Sequence, residues 1–174
     1  IIPRLATDER AQLEANVLAE GCRDALVVWQ GILLDGHNRY EICTAHGIPF
    51  DTLDIDLPDR DAAITWIINN QLGRRNLTPE QASYLRGQRY NREKTAGHGA
   101  KSGYQNDNQK THERLADEYK VGPATIVRDG QFAQAVDALG ETLGEEVKQE
   151  ILSRELDLTK KDVLALGQME PEEQ

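Results

Sequence analysis

The chain has 174 residues, with 20 Lys and Arg against 30 Asp and Glu, so its formal net charge at neutral pH is −10. Hydrophobic residues make up 39% and charged residues 29%, which excludes wholesale disorder. The length fits one domain or two small ones. No apolar run reaches the roughly 20 residues of a membrane span, and no signal-peptide pattern opens the chain. We therefore expect a cytoplasmic protein and, because the chain begins at Ile1, a piece of a longer one.

The cysteines and histidines do not form the spacing of a metal site. Cys22 and Cys43 are far apart in sequence and make no CxxC pair, so we expect two reduced, partly buried thiols. The four histidines are scattered along the chain. The sequence therefore predicts no metal centre.

Hydrophobic periodicity and turn residues predict a small mixed α/β region at the start of the chain. The predicted elements are a helix over 7–20, strands over 26–29 and 32–34 joined by the tight turn Gln30-Gly31, a helix capped by Asn38 and ending at His46, and a strand over 52–55. A helix follows from Asp59, with Ile64, Ile67, Ile68 and Leu72 as its buried stripe.

The remainder reads as helical, with no strand signal after Asp54. Thr78-Pro79-Glu80-Gln81 is a strong start signal for a helix to about Lys94, and helices are predicted over 111–120, 123–139, 143–154 and 159–168. Glycine and polar residues dominate the segment from Thr95 to Lys110. The predicted organisation is an α/β domain over 1–76, a basic connecting helix over 77–94, a flexible linker over 95–110 and a helical domain over 111–174.

Residues 72–110 carry the basic charge of this acidic chain, with eight basic and three acidic side chains. Such a patch favours a polyanion as partner. A solvated basic helix that pairs with acidic neighbours is an equal alternative. The basic residues are Arg74, Arg75, Arg86, Arg89, Arg92, Lys94, Lys101 and Lys110.

Two glycine-containing segments are candidate anion sites. In the first, a turn leads from a strand into a helix, where backbone N–H groups attract anions and Arg39 could clamp a phosphate. The alternative makes Gly36 a turn, Asn38 a cap and Arg39 an ion-pair partner. The second segment places two adjacent arginines on a loop between helices, where they could hold an anion. The segments are Asp35-Gly36-His37-Asn38-Arg39-Tyr40 and Asn70-Gln71-Leu72-Gly73-Arg74-Arg75-Asn76.

The segment from Leu115 to Arg128 matches a helix-turn-helix. Ala116 is the small residue at the helix crossing, Val121 closes the turn and Ile126 anchors the second helix. An ordinary helical hairpin is the alternative, because Lys120 replaces the usual glycine and Asp129 follows Arg128. The predicted groove contacts are Ala124, Thr125 and Arg128, with Thr111 and Arg114 near phosphates.

Taken in this order, the three motifs resemble the ParB/sulfiredoxin-type domain joined to a ParB-like DNA-binding domain, from about Leu26 to Ile151. The resemblance implies an α+β fold in which a small mixed α/β domain precedes an all-helical helix-turn-helix domain. It also implies CTP with magnesium as a cofactor of the nucleotide site. The implied nucleotide- and phosphate-binding residues are Gly36, His37, Asn38, Arg39, Asn70, Gln71, Arg74 and Arg75.

The chain departs from both nucleotide motifs of that family. Partition ParB proteins read Gly-Glu-Arg-Arg in the first motif, where this chain keeps Gly36 and Arg39 but has His37 for the glutamate. In the second motif Asn70 and Gln71 stand for glutamate and asparagine, so both carboxylates are absent. Sulfiredoxin has its reactive cysteine at the place of His37. Sulfinic-acid reduction is therefore not expected.

The leading interpretation is a DNA-binding protein of plasmid, phage or chromosome partition or of transcriptional regulation, nucleoid-associated in a bacterial or phage setting. The candidate DNA contacts are Arg86, Arg89, Arg92, Lys94, Lys101, Thr111, Arg114, Ala124, Thr125 and Arg128. Two other classes stay open. One is a ParB-like nuclease or nucleotide hydrolase with His37 as general base. The other is an adaptor whose acidic C-terminal helices bind a partner protein or a second copy of the chain.

Overall fold

The computed structural model describes residue 5 and residues 7–73, 77–96 and 104–169, with side chains for all of these except 95, 96 and 104–110. In chain order the elements are α1 (Thr7–Glu20), β1 (Leu26–Trp29), β2 (Ile32–Asp35), α2 (His37–His46), β3 (Thr52–Asp54), α3 (Arg60–Leu72), α4 (Pro79–Ala96), α5 (Tyr104–Tyr119), α6 (Pro123–Leu143), α7 (Glu145–Ser153) and α8 (Lys160–Leu166). The chain divides into two compact units, residues 2–70 and residues 71–174.

The first unit is built on a three-stranded sheet in the order β2-β1-β3. Strands β1 and β2 are antiparallel, whereas β1 and β3 are parallel. Trp29 pairs with Ile32 across the hairpin, and Gln30 and Gly31 have φ angles of 48° and 78°. Two positive φ angles match the right-handed twist of a two-residue hairpin, so the predicted tight turn is confirmed.

The helices of this unit pack in two apolar clusters, one between α1 and α2 and one between the sheet and α3. Val17 of α1 packs with Ile42 and Cys43 of α2, whereas Trp29 and Leu34 of the sheet pack with α3. The predicted helix over 7–20 is confirmed, and Asp59 caps α3 as expected, with the Ala62 N–H donating to its Oδ1 at 2.8 Å. Of the predicted stripe on α3, two isoleucines are buried and the other two residues are half-buried: Ile64 and Ile68, then Ile67 and Leu72.

The start of α2 differs from the prediction. Gly36, rather than Asn38, is the N-cap, and it has a φ angle of 93°. A Cβ atom on Gly36 would lie 2.5 Å from Cδ2 of Leu26, so both the backbone angle and the space require glycine. Asn38 therefore lies in the first turn of the helix, where its Oδ1 accepts a hydrogen bond from Nη1 of Arg10 at 3.3 Å.

The second unit is helical throughout its described residues, with α6 at its centre. Helices α4, α5, α7 and α8 all pack against α6. Phe132, Val136 and Leu139 of α6 form the main core together with residues of the other helices, namely Tyr84, Ile151, Leu152 and Val163. Their burial supplies the apolar contact area that holds α4, α6, α7 and α8 together, whereas α5 packs through a second cluster with Leu115, Ala116 and Ile126.

The predicted capping signals are confirmed in this unit. The N–H of Gln81 donates to Oγ1 of Thr78 at 3.0 Å, and the N–H of Thr78 donates to Oε1 of Gln81 at 3.0 Å. Thr159 and Asp162 form the same reciprocal arrangement at the start of α8. Each box satisfies N–H groups that a helix start otherwise leaves unpaired.

Helices α4 and α6 approach each other closely at two glycines. A Cβ atom on Gly87 of α4 would lie 2.0 Å from the carbonyl oxygen of Asp129 on α6. One on Gly130 would lie 2.6 Å from the ring of Tyr90, and Nδ2 of Asn91 donates to the Gly130 carbonyl at 2.8 Å. The crossing therefore depends on the absence of side chains at these positions.

The division of the chain differs from the predicted domains. Helix α4, predicted as a connecting helix over 77–94, is part of the helical unit because Tyr84, Leu85 and Tyr90 are buried in it. Of the predicted linker over 95–110, residues 97–103 lie outside the described residues, and α5 already begins at Tyr104. The boundary falls at 70/71 instead. The predicted boundaries follow charge and glycine content. The apolar face of α4, however, determines that this helix packs in the helical unit.

We expect Gly87→Ala to lower the free energy of unfolding by about 1–3 kcal/mol, because the added methyl group meets backbone that cannot rotate away. Urea denaturation followed by far-UV circular dichroism measures the change. Gly122→Ala is the matched control, since a Cβ atom there lies 3.8 Å from Oγ1 of Thr125, an ordinary contact. Equal effects of the two substitutions would contradict the close approach at Gly87.

Candidate nucleic-acid interface and phosphate turn

Helices α5 and α6 are joined by a turn of three residues, 120–122. Lys120 has a φ angle of 56°, and the N–H of Val121 donates to the carbonyl of Ala116 at 3.0 Å. This is the hydrogen bond by which a left-handed residue ends a helix. Ala116 and Ile126 are buried beside Leu115, with Val121 packed against them. The three residues predicted to define the helix-turn-helix pattern therefore lie in one small core.

The N-terminal half of α6 presents one exposed face. Ala124, Arg128 and Gln131 are exposed, and their spacing of four and three residues places them on one side of the helix. Thr125, also predicted as a contact, is half-buried. Among the residues that the structure describes, no hydrogen bond or ion pair engages the side chain of Arg128. These side chains are available to an external partner.

Asp129 turns inward and does not share this face. It is 3% exposed, accepts hydrogen bonds from Oγ of Ser83 and Nε of Arg86, and lies 2.6 Å from the latter. The charge that follows Arg128 in sequence is thus paired inside the unit. It does not oppose the approach of an anion to Arg128.

Arg89 is the centre of a buried ion-pair network between α4 and α5. It is 6% exposed, its Nε donates to Glu93 at 2.8 Å, and its Nη1 donates to Glu118 at 2.5 Å and to the Tyr119 hydroxyl at 2.6 Å. Burial by itself disfavours the guanidinium charge, but the hydrogen bonds that Arg89 donates to Glu118, Glu93 and Tyr119 raise its pKa. Burial raises the pKa of Tyr119 as well.

Arg86 and Arg89, predicted as duplex contacts, thus have partners inside the helical unit. These contacts agree with the alternative prediction, a basic helix that pairs with acidic neighbours, because α5 and α6 cover this side of α4. Arg114, predicted near phosphates, also joins the network through Glu93 and, at 3.4 Å, through Glu118, although its side chain stays 52% exposed. An anion would have to compete with these carboxylates.

The remaining predicted contacts are spread over the helical unit. Arg92 and Lys94 are exposed on α4, where Nζ of Lys94 lies 5.7 Å from the ring centre of Tyr90. Thr111 is half-buried on α5. Lys101 lies outside the described residues.

At the phosphate turn, Arg39 is engaged by neighbouring acidic residues. Its Nη1 donates to the carbonyl of Asp24 at 2.9 Å, and its Nη2 donates to Oδ2 of Asp35 at 3.2 Å. The side chain is 18% exposed. His37 is the first residue of α2 and is half-buried. Gly36 supplies no side-chain cap, so the first N–H groups of α2 have no side-chain partner at the cap.

The second nucleotide motif falls at the boundary of the two units. Asn70 ends the first unit and Gln71 begins the second, whereas Arg74 and Arg75 lie outside the described residues. In the described part of the chain, no three His, Cys, Asp or Glu side chains are grouped to hold a metal ion. The donors at the Gly36 turn fit a triphosphate poorly, because Asp24 and Asp35 already occupy the guanidinium of Arg39.

The acidic C-terminal helices cover α6 with their apolar faces. Ile151 and Leu152 of α7 and Val163 of α8 are buried in the main core. Lys148 donates from Nζ to Oδ1 of Asp137 at 2.9 Å, which pairs α7 with α6 by charge as well. These faces are therefore used within the chain, and a homodimer or a partner protein on these helices stays a prediction.

Sequence reasoning missed Gln131 and the partners of the arginines. Gln131 follows Arg128 by three residues, a spacing that could have placed it on the same face. The sequence indicates only that Glu118 is an acidic residue on a helix. It does not predict the contact with Arg89, because the two residues are 29 positions apart. Long-range pairs of this kind leave no local pattern in the sequence.

Comparison with known proteins gives a fold but no family. No protein-family model matches the chain, and no curated protein matches it. The structure is similar to a solved Pnob8-like ParB-N domain, with a TM-score of 0.57 and 15% identity, over 91% of this chain and 69% of that chain. At this identity the likeness concerns the fold alone. It supports the ParB-like, helix-rich α+β fold with a small sheet that the motifs predict.

A search of the described helices for a membrane span finds none that combines sufficient length with sufficient apolar character.

We expect Arg89→Ala to lower the free energy of unfolding by about 1–3 kcal/mol, because it removes the buried partner of Glu93 and Glu118. Their contacts with the exposed Arg114 and the partial exposure of Glu118 limit the loss. Arg128→Ala removes the same side chain from an exposed position and should leave stability within about 0.5 kcal/mol. Thermal and urea unfolding of both variants measure the difference. A stable Arg89 variant would contradict the structural role of the network.

We expect Lys120→Gly to raise the free energy of unfolding by about 1 kcal/mol, because glycine adopts the left-handed conformation of this turn without a Cβ clash. Urea denaturation measures the gain. Lys161→Gly, on the exposed first turn of α8, is the control and should destabilise. A loss of stability in the Lys120 variant would show that this residue contributes more than its backbone strain removes.

Proposed function

We propose that the protein binds double-stranded DNA through α6 and acts, as a ParB-like protein, in partition or in transcriptional regulation. The observation that carries the proposal is the exposed face of Ala124, Arg128 and Gln131 at the start of a helix whose opposite face is buried. A helix fits the major groove of B-DNA, and the second helix of a helix-turn-helix reads base edges there. The ParB-N-like fold is consistent with this role.

The chemistry of the three side chains assigns them different tasks in the groove. Arg128 suits the O6 and N7 acceptors of guanine, and Gln131 suits the N6 and N7 groups of adenine. Ala124 suits the methyl group of thymine. Because Arg128 and Gln131 are three residues apart, their targets should lie within one or two base steps of each other.

Phosphate contacts come from exposed basic residues of the helical unit rather than from the buried arginines. Lys120 is exposed at the turn itself, and Lys94 and Arg92 are exposed on α4. Arg86 and Arg89 act as positioning residues, because they hold α6 and α5 against α4. The net charge of −10 opposes a polyanion at long range, so affinity should be modest and strongly salt-dependent.

CTP with magnesium remains an implication of the sequence resemblance, and no step of this proposal uses it. Hydrolysis by His37 has no specific support in the geometry, since no described metal-binding cluster accompanies this residue. The adaptor alternative predicts no affinity for duplex DNA even at low salt. The DNA measurement therefore separates the two readings.

The first test is fluorescence anisotropy of the protein against mixed-sequence duplexes over a salt series, with and without CTP and magnesium. We expect binding at low salt that weakens steeply as salt rises, because phosphate contacts release counterions. Addition of CTP and magnesium should leave the affinity unchanged, because Arg39 is held by Asp24 and Asp35. Absence of binding at low salt would overturn the DNA proposal in favour of the adaptor.

The second test assigns the groove contacts with a duplex selected from a random library. We expect Arg128→Ala to weaken binding to the selected duplex by about 1–3 kcal/mol and to relax preference at one base pair. Gln131→Ala should relax preference at a neighbouring A·T pair by a similar amount. Arg60→Ala, which removes an exposed arginine of the first unit, is the charge-matched control. Equal losses on every sequence for all three variants would contradict base reading by α6.

A further inference from the structure

Two thiols lie together in the first unit, outside every motif used above. Cys22 follows the C-terminal end of α1 and Cys43 lies on α2, and both belong to the apolar cluster around Val17 and Ile42. Both side chains pack in this one cluster, and both cysteines are free. Cys43 is fully buried, whereas Cys22 is half-buried.

The two thiols differ in their access to solvent and in their surroundings. Burial raises the pKa of Cys43, and the neighbouring Cys22 raises it further, although the nearby Arg39 acts in the opposite direction. A buried thiol with a raised pKa reacts slowly on its own. Cys22 reaches solvent, and its Sγ donates to the carbonyl of Asp24 at 3.4 Å. A reagent from solution therefore meets Cys22 first.

We propose that Cys22 and Cys43 form an oxidisable dithiol site, which a hydroperoxide closes to an intramolecular disulfide between the end of α1 and α2. The inference concerns the first unit and does not depend on DNA binding. A half-exposed attacking thiol beside a buried second thiol is the arrangement of a redox-responsive pair.

The reaction proceeds in two balanced steps. The sulfur of Cys22 attacks one peroxide oxygen, the O–O bond breaks, and Cys22 becomes a sulfenic acid while the other oxygen leaves as water with the thiol proton. The sulfur of Cys43 then attacks the sulfur of Cys22, so that the S–S bond forms and the S–O bond breaks. The hydroxide leaves as water with the proton of Cys43. Two thiols are oxidised, and one hydrogen peroxide is reduced to two waters.

Oxidation of the two thiols would change the position of Arg39 at the Gly36 turn. The carbonyl of Asp24 accepts hydrogen bonds from Sγ of Cys22 and from Nη1 of Arg39. A disulfide removes the first of these bonds and redirects the segment that holds the second. The thiol pair thus connects the redox state of α1 and α2 to the position of Arg39.

The test treats the reduced full chain with hydrogen peroxide and analyses it by intact mass and by a peptide map without reductant. We expect a loss of two hydrogen atoms in mass, both thiols protected from alkylation, a cross-linked peptide containing Cys22 and Cys43, and full reversal by dithiothreitol. Denatured protein is the matched control, and it should form the disulfide more slowly, because the fold brings the thiols together.

Variants identify the order of events. Cys43→Ser should stop at a sulfenic acid on Cys22 that dimedone traps, whereas Cys22→Ser should leave the buried Cys43 unreacted over the same time. Both thiols remaining reduced would overturn the proposal. So would over-oxidation of Cys22 beside a free Cys43, disulfides only between chains, or equally fast closure in denaturant. The wild-type result decides the matter even where a variant does not fold.

Discussion

The crossing of α4 and α6 is the contact on which the helical unit depends. Gly87 lets the two backbones approach until the carbonyl of Asp129 fills the space of a side chain, and Asp129 itself is paired with Ser83 and Arg86 across the same crossing. Close packing and a satisfied buried carboxylate occur at one point. A buried charge is tolerable only where its partners are fixed, so the glycine contact and the ion pair support each other.

Much of the basic charge of this acidic protein serves the fold rather than a partner. Arg86 and Arg89 are bound between helices, and Arg39 is bound between Asp24 and Asp35. Other basic residues are exposed in both units, and those on α4 and at the turn before α6 include Arg92, Lys94 and Lys120. A count of basic residues along the sequence therefore overstates the positive charge available to a polyanion, because it includes basic side chains that already have partners within the fold.

Local signals predicted the elements well, and long-range contacts account for what they missed. The capping box at Thr78 and the hairpin turn at Gln30 follow from a few neighbouring residues, and both are present in the structure. The start of α2 was misplaced because Leu26, ten positions away, forces glycine at the cap. The roles of Arg89 and Asp129 depend on partners 29 and 46 positions away, which no periodicity reveals.

The inward orientation of Asp129 also fixes the rotational phase of α6. Its carboxylate is held by Ser83 and Arg86, so the helix cannot turn about its axis without breaking a buried ion pair. Each residue advances an α-helix by about 100°. An insertion of one residue between Thr125 and Arg128 would keep every side chain of the exposed face but would split that face between two directions. The alignment of the face is therefore a property of the chain length between its first exposed residue and Asp129, and not of the side chains alone.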